Sequence, residues 1–273
     1  MTQPASRAEV RAPEIAARLV SARLDARALE AFPGVQPATL ESGYLIQEVA
    51  IHLWPDEIAG WKIGLVPPAL RERLGSDRVA GPIFSRDVRP ANGVVEFPVF
   101  EGGFAAVEAE FVFRIGQDAA PGKTAWTDDE AAALVAALHI GVETAGSPMA
   151  SINDLGPTVV ASDFGNNAGL IVGAEVKDWR ARMKDLRAKT EIEGKTVGEG
   201  GAMGLPGGPM AGLTFLLTHL AQRNRPLKAG QYVSSGAVTG VHDIVIGQSA
   251  RLSFGGDGVI DCRAVKARPA GAR

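Results

Sequence analysis

Two glutamates separated by one residue, Glu108 and Glu110, are the clearest chemical signal in the sequence. Apolar residues at every second position from Ala109 predict a β-strand here, and residues two apart on a strand share a face, about 7 Å apart. Two carboxylates so placed repel each other unless a cation lies between them. Mg²⁺ or Mn²⁺ suits that position because both prefer oxygen ligands. The alternative is a half-solvated strand face that carries two acids.

A third acid, Glu143, strengthens the metal hypothesis. It follows the strand-like run of residues 139–142, which comes after an alanine-rich segment. A carboxylate at the end of such an apolar run is costly to bury without a partner. Three acids at strand positions can form one carboxylate site that leaves the other coordination positions to water or substrate.

Lys62 is a basic residue within the otherwise apolar, glycine-flanked run of residues 60–65. One interpretation is structural: the side chain covers apolar surface with its stem and reaches solvent at the edge of a sheet. The other is functional: the ammonium group neutralises an anionic substrate, or carries a proton with a pKa changed by burial. The sequence leaves both open.

Length and composition narrow the class of protein. The chain has 273 residues, 46% hydrophobic and 22% charged, which is ordinary for one large globular domain or two small ones. A net charge of −3 without long charged runs argues against a nucleic-acid binder. No apolar stretch approaches the roughly 18–20 residues of a membrane span. The first 14 residues lack the apolar core of a secretory signal, so we expect a cytoplasmic protein.

Periodicity predicts an α+β fold with a mixed, mostly β core. Four helices are predicted: residues 13–29, a segment from Thr39 to before Pro55, one that opens with a capping box at Thr127 and Glu130, and one after Pro209. Short strands are predicted at residues 170–172, 231–234, 243–246 and 259–262. The last of these contains Cys262, the single cysteine, expected to be a structural residue.

The predicted organisation is a helical N-terminal portion, residues 1–75, packed on a mixed β catalytic core, residues 76–273. The 33 glycines and 17 prolines between apolar segments favour many short strands. Residues 198–201 (GEGG) look like a fragment of a dinucleotide-binding loop, but no strand–helix context surrounds them, which predicts a flexible loop.

The order of several segments resembles the fumarylacetoacetate hydrolase superfamily, and more narrowly its 2-keto-4-pentenoate hydratase and 4-oxalocrotonate decarboxylase branch. The segments are residues 44–47 (YLIQ), 60–64 (GWKIG), 108–111 (EAEF), 141–143 (GVE), 161–173 and 227–236. The resemblance extends from about Tyr44 to Gly240. It implies a roll or barrel-like β core similar to the C-terminal domain of that superfamily.

The resemblance also implies a catalytic centre. It places Mg²⁺ or Mn²⁺ on Glu108, Glu110 and Glu143, and the glutamate at the third position favours the hydratase side of the branch. Lys62 takes the place of the family lysine, as a partner of the substrate carboxylate or a proton relay. Asp87 is the expected second acid–base group, where relatives often show paired acids.

Asn166, Asn167 and Thr239 are the substrate-binding residues that the resemblance implies. Related hydratases often carry two serines where this chain has the asparagine pair, and a third serine in place of Ala237. Because asparagine both donates and accepts hydrogen bonds, these departures favour a substrate with a polar or carboxylate tail. The alternative is that the two amides only fix their own loop.

The activity implied is metal-dependent addition of water to a 2-hydroxy-2,4-dienoate, through its 2-oxo-3-enoate form, to give a 4-hydroxy-2-oxo acid in aromatic-compound catabolism. Decarboxylation of a 2-oxo-3-enedioate and C–C hydrolysis of an acylpyruvate are the alternative reactions. A non-catalytic partner subunit is an alternative of another class. We expect a small anionic substrate, no nucleic acid or membrane partner, and a homo-oligomer, with a complex with a sibling decarboxylase as a further option.

Overall fold

The computed structural model describes residues 11–271. Eight α-helices lie within that range: α1 Ala12–Leu24, α2 Leu40–Leu53, α3 Pro68–Leu74, α4 Asp128–Ala133, α5 Ile152–Leu155, α6 Pro157–Ser162, α7 Trp179–Arg182 and α8 Gly208–Gln222. Among the described residues, no helix combines the length and apolar character that crossing a bilayer requires. Most of the segment on which the absence of a secretory signal was predicted lies outside the described residues.

Thirteen strands lie in the same range. They are β1 Ile58–Leu65, β2 Arg78–Phe84, β3 Val88–Pro90, β4 Val94–Val99, β5 Phe104–Ile115, β6 Val135–Ser147, β7 Asn167–Glu175, β8 Arg187–Ile192, β9 Lys195–Gly201, β10 Tyr232–Ser234, β11 His242–Asp243, β12 Ser249–Ser253 and β13 Val259–Lys266.

The larger sheet curls into a barrel-like shape. Its strand order is β2-β1-β10-β5-β6-β7-β3, with β11 also paired to β5. Strands β2 and β3 lie at opposite ends of that order, yet only residues 85–87 connect them. Three residues span roughly 10 Å at most, so the two ends of the sheet must approach each other. The predicted α+β fold with a barrel-like core is confirmed.

A second sheet, of order β4-β13-β12-β8-β9, packs on the outside of the barrel. Phe111 on β5 meets Phe254, next to β12, with ring centroids 5.7 Å apart in an edge-to-face arrangement. Since neighbouring residues on a strand point to opposite faces, Glu110 points into the barrel. Ile83, Val112 and Leu170 form a small buried cluster that shares this inner face.

The helices begin where their sequence signals indicate. The Thr39 side chain accepts a hydrogen bond from the backbone N–H of Ser42 at the start of α2. Thr127 and Glu130 form the predicted capping box at α4. Helix α8 buries the four leucines predicted for it, Leu213, Leu216, Leu217 and Leu220. Cys262 lies buried in β13, as expected of a structural residue.

Three local predictions were wrong. The strand predicted at residues 243–246 is confined to the two residues of β11. Helix α1 ends at Leu24 rather than at residue 29, because Ala26 adopts a left-handed backbone with φ 51°. Residues 198–201 belong to strand β9 rather than to a flexible loop. A Cβ at Gly200 would lie 1.8 Å from the Val238 carbonyl oxygen, so glycine is needed there for close backbone approach.

Strand β1 falls within residues 1–75 and pairs with both β2 and β10. The N-terminal part of the chain therefore contributes a strand to the barrel as well as helices. Helices α1 and α2 pack together, and α2 also packs on α6. The division of the chain at residue 75 stays a prediction.

Candidate metal centre and cavity

The antiparallel pairing of β5 with β6 brings the three predicted metal ligands together. Glu108 lies directly opposite Glu143, and Glu110 lies opposite Gly141. Directly opposed residues share a face of the sheet, as do residues two apart on one strand. One carboxylate oxygen from each glutamate lies within 4.8 Å of the others. All three side chains are buried, which excludes the alternative of a solvent-exposed acidic strand face.

The carboxylate oxygens are only partly satisfied by the protein. Oε2 of Glu110 accepts hydrogen bonds from the Ser234 hydroxyl at 2.5 Å and the Gly236 backbone N–H at 2.9 Å. Oε1 of Glu110 and Oε2 of Glu143 are buried without a hydrogen-bond partner. Unpartnered buried carboxylate oxygens are costly, and a hard divalent cation would satisfy them. The donor set therefore fits Mg²⁺ or Mn²⁺.

The electrostatics of the cluster also favour a cation. Burial raises the pKa of Glu108 to about 8, and the charge of Glu143 adds to the rise while Lys62 opposes it. Burial, followed by the charges of Glu143 and Glu108, raises the pKa of Glu110 well above its ordinary value. In both residues burial and the neighbouring carboxylates disfavour the charged form, and the single ammonium group of Lys62 does not offset them. A divalent ion supplies the further positive charge.

Lys62 lies inside the barrel rather than at its edge. It pairs with Gly81 of β2 and Ser234 of β10, and its Nζ lies 3.2 Å from Oε1 of Glu143. Its side chain is 6% exposed, so it does not reach solvent as the structural interpretation required. Burial alone lowers the pKa of Lys62, but the carboxylates, chiefly that of Glu143, raise it above its ordinary value.

A cavity of about 390 Å³ opens beside the cluster, within the size range of small-molecule sites. Lys62 and Glu108 line it, together with Asn153 and Asn166. Much of the remaining wall is apolar, including Ile63, Leu65, Val79, Val160, Leu205 and Val241. Among the described residues that line this cavity, Lys62 is the single cationic one.

The two predicted asparagines contact the site differently. Nδ2 of Asn167 donates to Oε1 of Glu143 at 3.0 Å and to the Gly169 carbonyl at 3.3 Å. Its amide therefore fixes a metal-ligand candidate and its own loop, while Asn166 lines the cavity. Nδ2 of Asn166 donates to Oδ1 of Asn153 at 3.3 Å.

Two other predicted site residues lie away from the carboxylates. Asp87 lines a separate cavity of about 220 Å³, with Arg23 and Phe164, and burial raises its pKa. The Thr239 hydroxyl lies 2.8 Å from that of Thr190 on β8. The structure does not bring either residue to the cavity that Lys62 and Glu108 line.

Arg23 is an organising residue that the sequence analysis missed. Its Nε donates to Oδ1 of Asp163 at 2.6 Å and its Nη1 to the Asn167 carbonyl at 2.9 Å. It therefore ties α1 to residues 163–167, the segment that leads into β7. A signal was present, because Arg23 follows Ile15 and Leu19 at spacings of four on the buried stripe of α1. An arginine on such a stripe needs a buried partner.

Comparisons with known proteins agree with this fold. No protein-family model matches the chain. A curated relative, 2-keto-4-pentenoate hydratase 2 of Dechloromonas aromatica (strain RCB), is 26% identical over 261 residues, covering 90% of this chain and 95% of the relative.

Two solved structures share the architecture. The 4-oxalocrotonate decarboxylase from Pseudomonas putida G7, complexed with magnesium and adipate, superposes with a TM-score of 0.79 at 20% identity, over 95% of this chain and 100% of that one. The fumarylpyruvate hydrolase from Pseudomonas aeruginosa, in complex with Mn²⁺ and pyruvate, superposes with a TM-score of 0.55 at 15% identity, over 88% of this chain and 100% of that one. In sequence and in fold, the chain thus resembles the fumarylacetoacetate hydrolase superfamily, in the branch of the 2-keto-4-pentenoate hydratases and 4-oxalocrotonate decarboxylases.

Proposed function

We propose that this protein is a metal-dependent hydratase that adds water to a 2-hydroxy-2,4-dienoate, giving a 4-hydroxy-2-oxo acid. The observation that carries the proposal is the buried cluster of Glu108, Glu110 and Glu143, with Lys62 beside it at the end of a cavity of suitable size. The curated relative named as a hydratase, matched along nearly its whole length, supports the choice of reaction. The proposed ligands hold Mg²⁺ or Mn²⁺.

A divalent ion bound by the three glutamates supplies a Lewis acid for an oxygen of the substrate. The protein fixes its own ligands before substrate arrives. Ser234 and Gly236 hold one oxygen of Glu110, and Asn167 holds one oxygen of Glu143. These contacts orient the carboxylates and leave their other oxygens free for the ion.

Lys62 provides the positive charge that the substrate requires. Its ammonium group lines the cavity and is held 3.2 Å from Glu143. In the proposed reaction it neutralises the C1 carboxylate or relays a proton to the substrate. Ketonisation moves the proton of the C2 hydroxyl to C5 and gives a 2-oxo-3-enoate, which is electrophilic at C4. Water then adds, its oxygen to C4 and a proton to C3, while the apolar wall limits the entry of other water.

Decarboxylation of a 2-oxo-3-enedioate is the second candidate. It is favoured by the likeness to a decarboxylase structure that holds magnesium and the diacid adipate. The cavity argues against it, because a second carboxylate would meet apolar wall and no cation other than Lys62 among the described lining residues. A catalytic role for Asp87, a substrate-binding role for Thr239, the homo-oligomer and a complex with a sibling decarboxylase stay predictions.

The test is an assay of the purified protein, stripped with EDTA and then given Mg²⁺ or Mn²⁺. The substrates are 2-hydroxypenta-2,4-dienoate and 2-oxo-3-hexenedioate, with water addition followed by NMR and CO₂ release followed separately. We expect metal-dependent hydration of the dienoate, lost in Glu108→Gln and retained in Glu199→Gln, a matched change at an exposed strand position. Full activity of the Glu108→Gln variant in the presence of chelator would contradict the proposed metal site.

A further inference from the structure

The amide of Asn166 is an unusual feature of the cavity wall. The residue is 5% exposed, and its Oδ1 is buried without a hydrogen-bond partner. Its Nδ2 donates a hydrogen bond of 3.3 Å to Oδ1 of Asn153, an exposed residue of α5. A buried carbonyl oxygen without a donor is costly, so a donor from outside the protein is expected to meet it.

The backbone that presents this amide is strained. Phe164, Gly165 and Asn166 have φ angles of 53°, 67° and 63°, three consecutive residues in the left-handed region. Such conformations persist where the surrounding structure enforces them, and they cluster at functional sites. Here the segment lies against Gly81 of β2, where a Cβ would come within 2.0 Å of the Phe164 carbonyl oxygen.

The same segment lies beside the candidate reaction centre. A Cβ on Gly165 would be 3.2 Å from Cδ of Lys62, so the chain entering Asn166 contacts the stem of the lysine. Asn166 lines the cavity together with Lys62 and Glu108. The unpartnered oxygen and the groups proposed to act on the substrate therefore belong to one cavity.

The chemistry of the wall limits what can meet this oxygen. A carboxylate or an alkyl tail has no hydrogen to donate, and the C2 hydroxyl of the substrate loses its hydrogen on ketonisation, whereas a water molecule has two. Charged Lys62 accepts no hydrogen bond, and Glu108 belongs to the proposed metal site. Asn166 and its partner Asn153 are therefore the side-chain acceptors that remain for a water among the described lining residues.

We propose that Asn166, oriented by Asn153, binds and aims the water that adds to C4, an inference that rests on the proposed hydratase function. The water donates one hydrogen bond to Oδ1 of Asn166, which directs an oxygen lone pair toward the substrate. Its oxygen bonds to C4, and C3 gains a proton, directly or through Lys62, so that no oxidant or further reactant is needed. Asn166 contacts a reacting atom and exchanges no proton, whereas Asn153 is a positioning residue.

The test separates the two stages of the reaction. Ketonisation of 2-hydroxypenta-2,4-dienoate does not need the added water, whereas hydration of the 2-oxo-3-enoate does. Asn166→Gly suits the left-handed backbone and removes the acceptor, and Asn166→Asp retains an oxygen there. Asn224→Gly is the matched control, an exposed asparagine with φ 55°. Metal-loaded enzyme is assayed for both rates, with Mg²⁺ affinity measured alongside.

We expect Asn166→Gly to lower kcat for hydration by about 10- to 100-fold, while ketonisation, KM and Mg²⁺ affinity change less than about twofold. Asn166→Asp should recover part of the loss, and Asn153→Ala should lower hydration alone, by a smaller factor. Hydration unchanged in Asn166→Gly, or both stages falling together in Asn166→Gly and Asn153→Ala, would overturn the role of Asn166 and leave the hydratase assignment standing. Wild-type enzyme that releases CO₂ from the enedioate and never hydrates the dienoate would overturn both.

Discussion

Replacing Arg23 with methionine should destabilise the protein strongly. Arg23 is 7% exposed, and its guanidinium donates to Asp163, to the Asn167 carbonyl and to the Gly146 carbonyl. Methionine keeps most of the apolar stem, so the main loss is electrostatic. Asp163, 1% exposed, would keep the Ser147 hydroxyl at 2.6 Å as its side-chain partner but would lose its cation.

The magnitude follows from that uncompensated charge. Removing one partner of a buried ion pair typically costs about 3–5 kcal/mol, a large share of the roughly 5–15 kcal/mol that stabilises a domain. We therefore expect the free energy of unfolding of Arg23→Met to fall by about 3–5 kcal/mol. Adding Asp163→Asn removes the stranded charge and keeps an acceptor for Ser147, so the double variant should recover roughly half of the loss.

Equilibrium urea unfolding at pH 7, followed by tryptophan fluorescence, measures these values. Trp54 is a suitable reporter because its ring lies 5.5 Å from that of Phe164 in the same loop region. The control is Arg18→Met, an exposed change on the same helix, expected within about 0.5 kcal/mol of wild type. A fall in the free energy of unfolding below 1 kcal/mol in Arg23→Met, or no coupling between the two substitutions, would show that the buried charge of Asp163 does not depend on Arg23.

Three further outcomes are expected. Lys62→Met should lower kcat/KM by about 10- to 100-fold, as loss of a charged hydrogen bond does, and an unchanged kcat/KM with a lower Tm would show a purely structural lysine. Gly81→Ala should lower Tm, because its Cβ would lie 2.0 Å from the Phe164 carbonyl oxygen, whereas Gly204→Ala, where nothing lies within 4 Å, should not. Burial and a neighbouring guanidinium lower the pKa of His219 to about 3. The folded state therefore loses stability as pH falls below about 6.5, by at most about 1.4 kcal/mol per pH unit. In His219→Phe the free energy of unfolding in urea should depend less on pH between pH 6 and 4, and an unaltered slope would contradict this.

The sequence was sufficient for the part of the site that depends on strand periodicity. Alternation around Glu108 and Glu110 requires that both side chains share a face, whatever the strand pairs with. The pattern around Glu143 placed a third acid on a strand. It could not show that Glu143 faces Glu108, because pairing register depends on the partner strand and on the connection between them. The resemblance to known enzymes supplied that step.

Contacts between segments that lie far apart in the sequence could not be predicted from it. Asn153 lies on a four-residue helix with no periodic signal, and only the fold brings it to Asn166. Asp87 is close in sequence to strand β2 but faces another cavity, since residues 85–87 carry the chain across to the far edge of the sheet. The glycines of β9 suggested a loop. They are needed because β9 packs closely on residues 238–242, a contact that the sequence near residue 200 does not indicate.

The parallel pairing of β1 with β10 has a consequence for the order of events during synthesis. Residues 60–62 must wait for residues 232–234 before they have that neighbour, and Glu110 must wait for Ser234 and Gly236 before its oxygen is held. Pairings so distant along the chain form slowly. Glu108 and Glu143 can already meet through the pairing of β5 with β6, but on the ribosome Glu110 stays without the two groups that hold its oxygen until translation is nearly complete.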